Sequence, residues 1–126
     1  MKSPGNGKMT MSYEDCVAMR EILSLIGDKW SVMVIVNLSE AAVRFSDLKR
    51  AIEGISQRVL THTLRGLERD GLVQRTVHPT KPPSVDYALT TLGRTLIEPV
   101  STLALWAHHH RPEIERARES FARASE

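Results

Sequence analysis

Cysteine occurs once in the 126 residues, at Cys16. Neither an internal disulfide nor a four-ligand thiolate metal site can therefore form within one chain. Aromatic residues are sparse, and the longest apolar run, residues 32–36, falls far short of the ~20 residues a membrane helix needs. The opening MKSPGNGK lacks the apolar stretch of a signal peptide, so a cytoplasmic location without membrane partners is expected. There is no Gly-rich phosphate loop, no carboxylate pair in an apolar setting and no evident His/Asn partner set for Cys16. Catalysis and a bound cofactor are accordingly not expected. What is present is ordinary globular composition, 41% hydrophobic and 25% charged. A chain of this length buries roughly two-thirds of its unfolded surface, enough for one domain.

Net charge is +2, from 17 basic and 15 acidic side chains, but it is unevenly placed. Residues 44–81 carry eight basic groups against four acidic ones, or +4, and the remainder carries nine against eleven, or −2. A basic middle between more acidic ends suits presentation of one segment to a polyanion.

Residues 1–12 read as a disordered lead-in, 13–110 as one domain and 111–126 as a charged C-terminal tail. From Tyr13 the pattern turns helical: Cys16, Met19, Leu23 and Ile26 form an apolar stripe with Ile22 beside it, and Gly27 ends it. Asp28 suits an N-cap for a segment from Lys29 to about Leu38, whose β-branched run also fits a buried strand; helix is favoured because a lone buried strand lacks partners. Residues 45–52 predict a short helix with Ser46 as N-cap, Asp47 at its positive end, and Leu48 and Ile52 inward. After a turn at Glu53-Gly54, Ser56 caps a second helix, Ile55 is placed to staple onto Leu60, and Leu60, Leu64 and Leu67 line its buried side before Gly71.

Two short helices about a tight Gly-containing turn make a helix-turn-helix. Residues 73–78 then alternate with a period of two, a Pro-rich tip follows, and Val85, Tyr87 and Leu89 alternate again, which predicts a β-hairpin. The fold class is mainly α with a small hairpin (α+β), arranged as a winged helix-turn-helix. Beyond Thr91, Leu92, Leu96, Val100, Leu103 and Ala107 form another helical stripe, with a kink or restart expected at Pro99.

The second helix of the helix-turn-helix carries the chemistry. Opposite its leucines lie Gln57, Arg58, Thr61, His62 and Arg65, with Ser56 at the start, and no acidic residue intervenes before Leu67. Gln can pair bidentately with adenine and Arg with guanine, while Thr offers a methyl to thymine. The helix N-terminus suits a phosphate, and the hairpin adds Arg75 and Lys81. Double-stranded DNA is the expected partner. The competing reading is a winged-helix module that binds protein, which would call for apolar residues on that face.

Several stretches resemble the HxlR-type winged helix-turn-helix regulators: LIGDKW at 25–30, RFSDLKR at 44–50, GISQRVLT at 54–61, LRGLERDGLV at 64–73 and YALT at 87–90. The match runs in order over about residues 14–108. The resemblance implies a homodimeric transcription factor joined through its first and last helices, each recognition helix entering a major groove. It carries Ser56, Gln57, Arg58, Thr61 and His62 over as the DNA face, with Arg44, Arg75 and Lys81 near the backbone; Ser46, beside Arg44, completes the candidate set. His62 stands where relatives more often have Gln.

Cys16 fits two descriptions, a small buried residue of the first helix or a thiol that senses oxidants or small electrophiles. A helix N-terminus and Arg20 favour the thiolate, and Glu14 and Asp15 oppose it. Many HxlR-type relatives look like thiol sensors with a cysteine at about this position, commonly followed by Pro where this chain has Val17. His108, His109 and His110 are not expected to bind metal, because consecutive helical residues point about 100° apart. Trp30 and Trp106 read as core or dimer anchors.

Overall fold

The computed structural model describes residues 10–125, and the chain order is α1 (Tyr13–Ile26), α2 (Lys29–Asn37), β1 (Val43–Arg44), α3 (Phe45–Ala51), α4 (Gln57–Arg69), β2 (Val73–His78), β3 (Ser84–Leu89), α5 (Thr91–Arg94) and α6 (Ile97–Ala124). Most of the lead-in lies outside the described residues; Ser12, at its end, caps α1 by accepting from the Asp15 amide at 3.1 Å. Asp28 accepts from the Trp30 amide at 2.7 Å, which starts the β-branched segment as helix α2. Ser56 accepts from the Val59 amide at 3.1 Å and starts α4. Each cap satisfies an amide that the first helical turn leaves unpaired, a contribution of about 1 kcal/mol.

Helix α3 departs from expectation. Ser46 is not its cap: Arg44 holds that position without a side-chain cap bond, and the helix begins at Phe45. The cause is β1, a two-residue strand that pairs Val43 with Tyr87 and Arg44 with Asp86 and holds the chain extended up to Arg44. Phe45 then turns inward, its ring 6.3 Å from that of Tyr87. Asp47 does sit in the first turn, ion-paired to Arg50.

The sheet is antiparallel in the order β1-β3-β2, with Val73 opposite Leu89 and Val77 opposite Val85. Helix α2 packs between α4 and α6, and Val34, Ile35, Leu48, Leu60, Leu64 and Leu67 are fully buried at the centre. Burying each such side chain contributes about 1.5–3 kcal/mol. Ile55 and Leu60 are both in this core. Gly71, at φ +77°, reverses the chain after α4, with its own amide bonded to Glu68 O and the Leu72 amide to Leu67 O.

Two helices differ from a simple amphipathic reading. No residue of α1 is buried: Cys16, Met19 and Ile26 are half-buried, while Ile22 and Leu23 are 56% and 50% exposed. Its Leu25 instead meets α4 at Gly66, where a Cβ would lie 2.9 Å from Leu25 Cδ1. At the other end the chain restarts as α6 at Ile97, so Pro99 occupies a first turn, where its missing N–H has no partner to lose. Pro112 lies inside α6, which runs on through residues 111–124 of the charged segment to Ala124. No helix among the described residues is long and apolar enough to cross a membrane.

Candidate nucleic-acid interface

Three leucines on one side of α4 fix which side faces outward. With Leu60, Leu64 and Leu67 buried, Ser56, Gln57, Arg58, His62 and Arg65 are exposed and Thr61 is half-buried at the edge. Gln57, Arg58, Thr61, His62 and Arg65 line one shallow depression along the helix. Within α4 the first acidic residue is Glu68, so the amino-terminal three turns meet an approaching polyanion with positive or neutral groups only. Arg58 and Arg65 make no salt bridge among the described residues. The uncapped amides of the first turn add partial positive charge at the same end.

A second cleft lies between the start of α3 and the hairpin tip, and it brings Arg44, Ser46 and Lys81 together. Lys81 is exposed and, among the described residues, makes no salt bridge. Arg75 is exposed in mid-strand opposite Tyr87 and lines neither depression.

Arg44 is engaged within the fold. Its Nε lies 3.4 Å from Asp86 Oδ1, while His78 Nε2 donates to Asp86 Oδ2 at 2.9 Å. The hydrogen bond from His78 is the larger cause, and that from Arg44 a smaller one, holding the Asp86 carboxyl below the usual carboxylate value. His78 and Asp86 were not among the residues singled out from sequence. Counting outward from the Val77–Val85 pair places Asp86 opposite Thr76, two residues from His78 and so diagonal to it on the same face, and the hairpin register contained the signal.

Cys16 is half-buried in the first turns of α1, its amide bonded to Ser12 O at 3.0 Å, and Arg20 is exposed one turn on. Trp30 packs against the core and carries Lys29 Nζ 4.8 Å from its ring centroid. Trp106 is 52% exposed and stacks on His110 at 4.8 Å. His110 Nδ1 lies 2.9 Å from Trp106 O, and the rings of His108 and His109 splay 53° apart.

This arrangement of capped helix, polar outward face and wing can seat a helix in a DNA major groove with flanking cations on phosphates. Comparison with known proteins gives the same assignment. The chain is 40% identical over 109 residues to the HTH-type transcriptional regulator YtfH of Escherichia coli (strain K12), itself uncharacterized, covering 86% of each. The solved structure of ytfH from Salmonella typhimurium superimposes with a TM-score of 0.76 at 38% identity, over 80% of this chain and 90% of that one. The redox regulator HypR in its reduced form gives a TM-score of 0.71 at 36% identity, over 79% and 98%. Residues 25–115 match the model of the HxlR-like helix-turn-helix family, and the chain belongs to that family of DNA-binding transcriptional regulators.

Proposed function

We propose that the protein is a cytoplasmic, non-catalytic regulator that binds a pseudo-palindromic operator as a homodimer, repressing or activating the genes beside it. The reading rests on one observation, an exposed α4 face with hydrogen-bonding and basic side chains and no carboxylate before Glu68. Gln57, Arg58, Thr61, His62 and Arg65 read base edges, and Ser56, at the helix start, places a phosphate. Arg44, Ser46, Arg75 and Lys81 hold the backbone from the wing side. Exposed apolar side chains on both terminal helices, Tyr13, Ile22 and Leu23 on α1 and Leu103 and Trp106 on α6, support dimerisation there. Two-fold symmetry sets half-sites one helical turn apart, roughly 34–36 Å, or a multiple of that.

A salt-titrated mobility shift on DNA upstream of the protein's own gene tests this. Tight, sequence-dependent binding by a dimer is expected. Equal affinity for operator and random duplex, or none for either, overturns it in favour of the protein-binding module.

A second reading concerns regulation. Cys16 is half-buried on the same partly uncovered α1, and the similarity to the redox regulator HypR supports an oxidant or small electrophile as effector. Diamide would remove two protons and two electrons from two Cys16 thiols, one per copy, leaving an intersubunit disulfide. A non-reducing gel should show the linked dimer together with altered operator affinity. Unchanged affinity under oxidant, equal to that of Cys16→Ser, excludes the switch.

A further inference from the structure

The C-terminal part of α6 has a patterned face that the other described residues leave largely exposed. Continuing the line of Leu103, the residues Ala107, His110, Ile114, Ala117, Phe121 and Ala124 recur at alternating spacings of four and three. That is a heptad seam with small or apolar side chains everywhere except His110. Within residues 111–125 only Ile114 is half-buried and the rest are exposed, Phe121 by 76%. From Leu103 to Ala124 the seam runs about 32 Å, at the usual rise of 1.5 Å per residue. Pro112, which removes a backbone hydrogen bond, falls on the side of the helix away from the seam. A helical stretch interrupted by proline and without tertiary cover among the described residues is marginal alone, so its stability calls for an occupant on the seam.

The charges flanking the seam say which occupant. On one flank lie Trp106, Glu113 and Ser120, and on the other Arg111, Arg118 and Ser125. In a parallel, in-register pair each residue of the first flank meets the residue five positions later on the second copy. Glu113 then faces Arg118, a salt bridge, and Trp106 faces Arg111, whose Nε within one copy donates to Glu115 Oε2 at 2.8 Å. An antiparallel pair sets like flanks together, arginine near arginine, and gains neither.

We infer that residues 103–124 form a short parallel coiled coil with the same segment of a second copy, clamping the dimer beyond the winged-helix body. Residues 103–115 of the seam lie within the family match and residues 116–124 lie beyond it. The inference rests on the homodimer proposed above and adds the partner segment, direction and register.

Cysteine scanning of the full-length chain in a Cys16→Ser background tests it. Ile114→Cys and Phe121→Cys, both on the seam, should each give a covalent dimer of twice the mass under mild diamide, and Arg116→Cys, on the outer side, should not. Both seam positions must react, because an antiparallel two-fold pair brings at most one of them against itself. Reaction of only one, or of all three alike, overturns the parallel seam. A chain that is dimeric by light scattering and binds its operator, yet crosslinks at neither seam position, overturns the clamp and leaves the regulator reading intact. A monomer that binds no operator removes both.

Discussion

Gln57→Ala and Lys81→Ala should both weaken operator binding, in ways that salt separates. Gln57 sits in the first turn of α4 with its neutral amide outward, and Lys81 is exposed at the wing tip without a salt bridge among the described residues. In a dimer each substitution acts at both half-sites. Losing a bidentate base contact costs about 1–3 kcal/mol per half-site, so Gln57→Ala should lower operator affinity at least about thirtyfold. Affinity for random duplex and the salt slope should stay as they were. Losing two phosphate contacts through Lys81→Ala lowers the slope of log K against log salt by about 1.8. The gap between Lys81→Ala and the parent therefore narrows about twelvefold between 50 and 200 mM salt, on operator and random DNA alike. Fluorescence anisotropy on both duplexes across that range measures these quantities. If the two variants lose equally on both duplexes with the same slope, the division between base reading by α4 and phosphate binding by the wing is wrong.

Three further predictions concern the scaffold. Leu64→Ala, at a fully buried position, should destabilise by about 2–5 kcal/mol in urea unfolding, and a loss under 1 kcal/mol would mean that α4 is not pinned by its leucines. A Cβ on Gly93 would lie 2.0 Å from Leu72 O, in backbone that cannot swing aside, so Gly93→Ala should lower stability by about 1–3 kcal/mol despite alanine's better helix propensity; an unchanged melting temperature refutes that contact. Asp86 has its carboxyl pKa lowered in the fold, first by His78 and then by Arg44. Its contribution is present above the unfolded carboxylate value of about 3.9 and fades as pH falls below it. Asp86→Asn should therefore flatten the stability profile between neutral and acid pH, and an unaltered acid limb would show that the cluster is inert.

Local signals made α2 and α4 readable from sequence. Asp28 and Ser56 cap where a cap was expected, and three leucines at helical spacing fix the outward side of α4. The error at Ser46 came from a long-range cause: β1 is only two residues long, and its existence depends on Tyr87 and Asp86 more than forty positions away. For the same reason Arg44 could be named as a phosphate contact while its tether to Asp86 and His78 passed unseen. The stripe on α1 showed where its apolar face lies but not what covers it, and among the described residues Ile22 and Leu23 are left open. Composition marked residues 111–126 as a charged tail but said nothing of its conformation. Its few apolar residues are widely spaced, yet they fall on one side of a helix that Pro112 does not end.

Leu25 rests in the notch that the bare Cα of Gly66 leaves on α4. With no side chain on Gly66, only that of Leu25 separates the first helix from α4 at this point. Cys16 lies nine residues from Leu25 on the same rigid rod, about 14 Å along its axis. If Cys16 is the switch proposed above, a displacement at the thiol end would pass to α4 through this single contact, and the notch at Gly66 would be where it arrives.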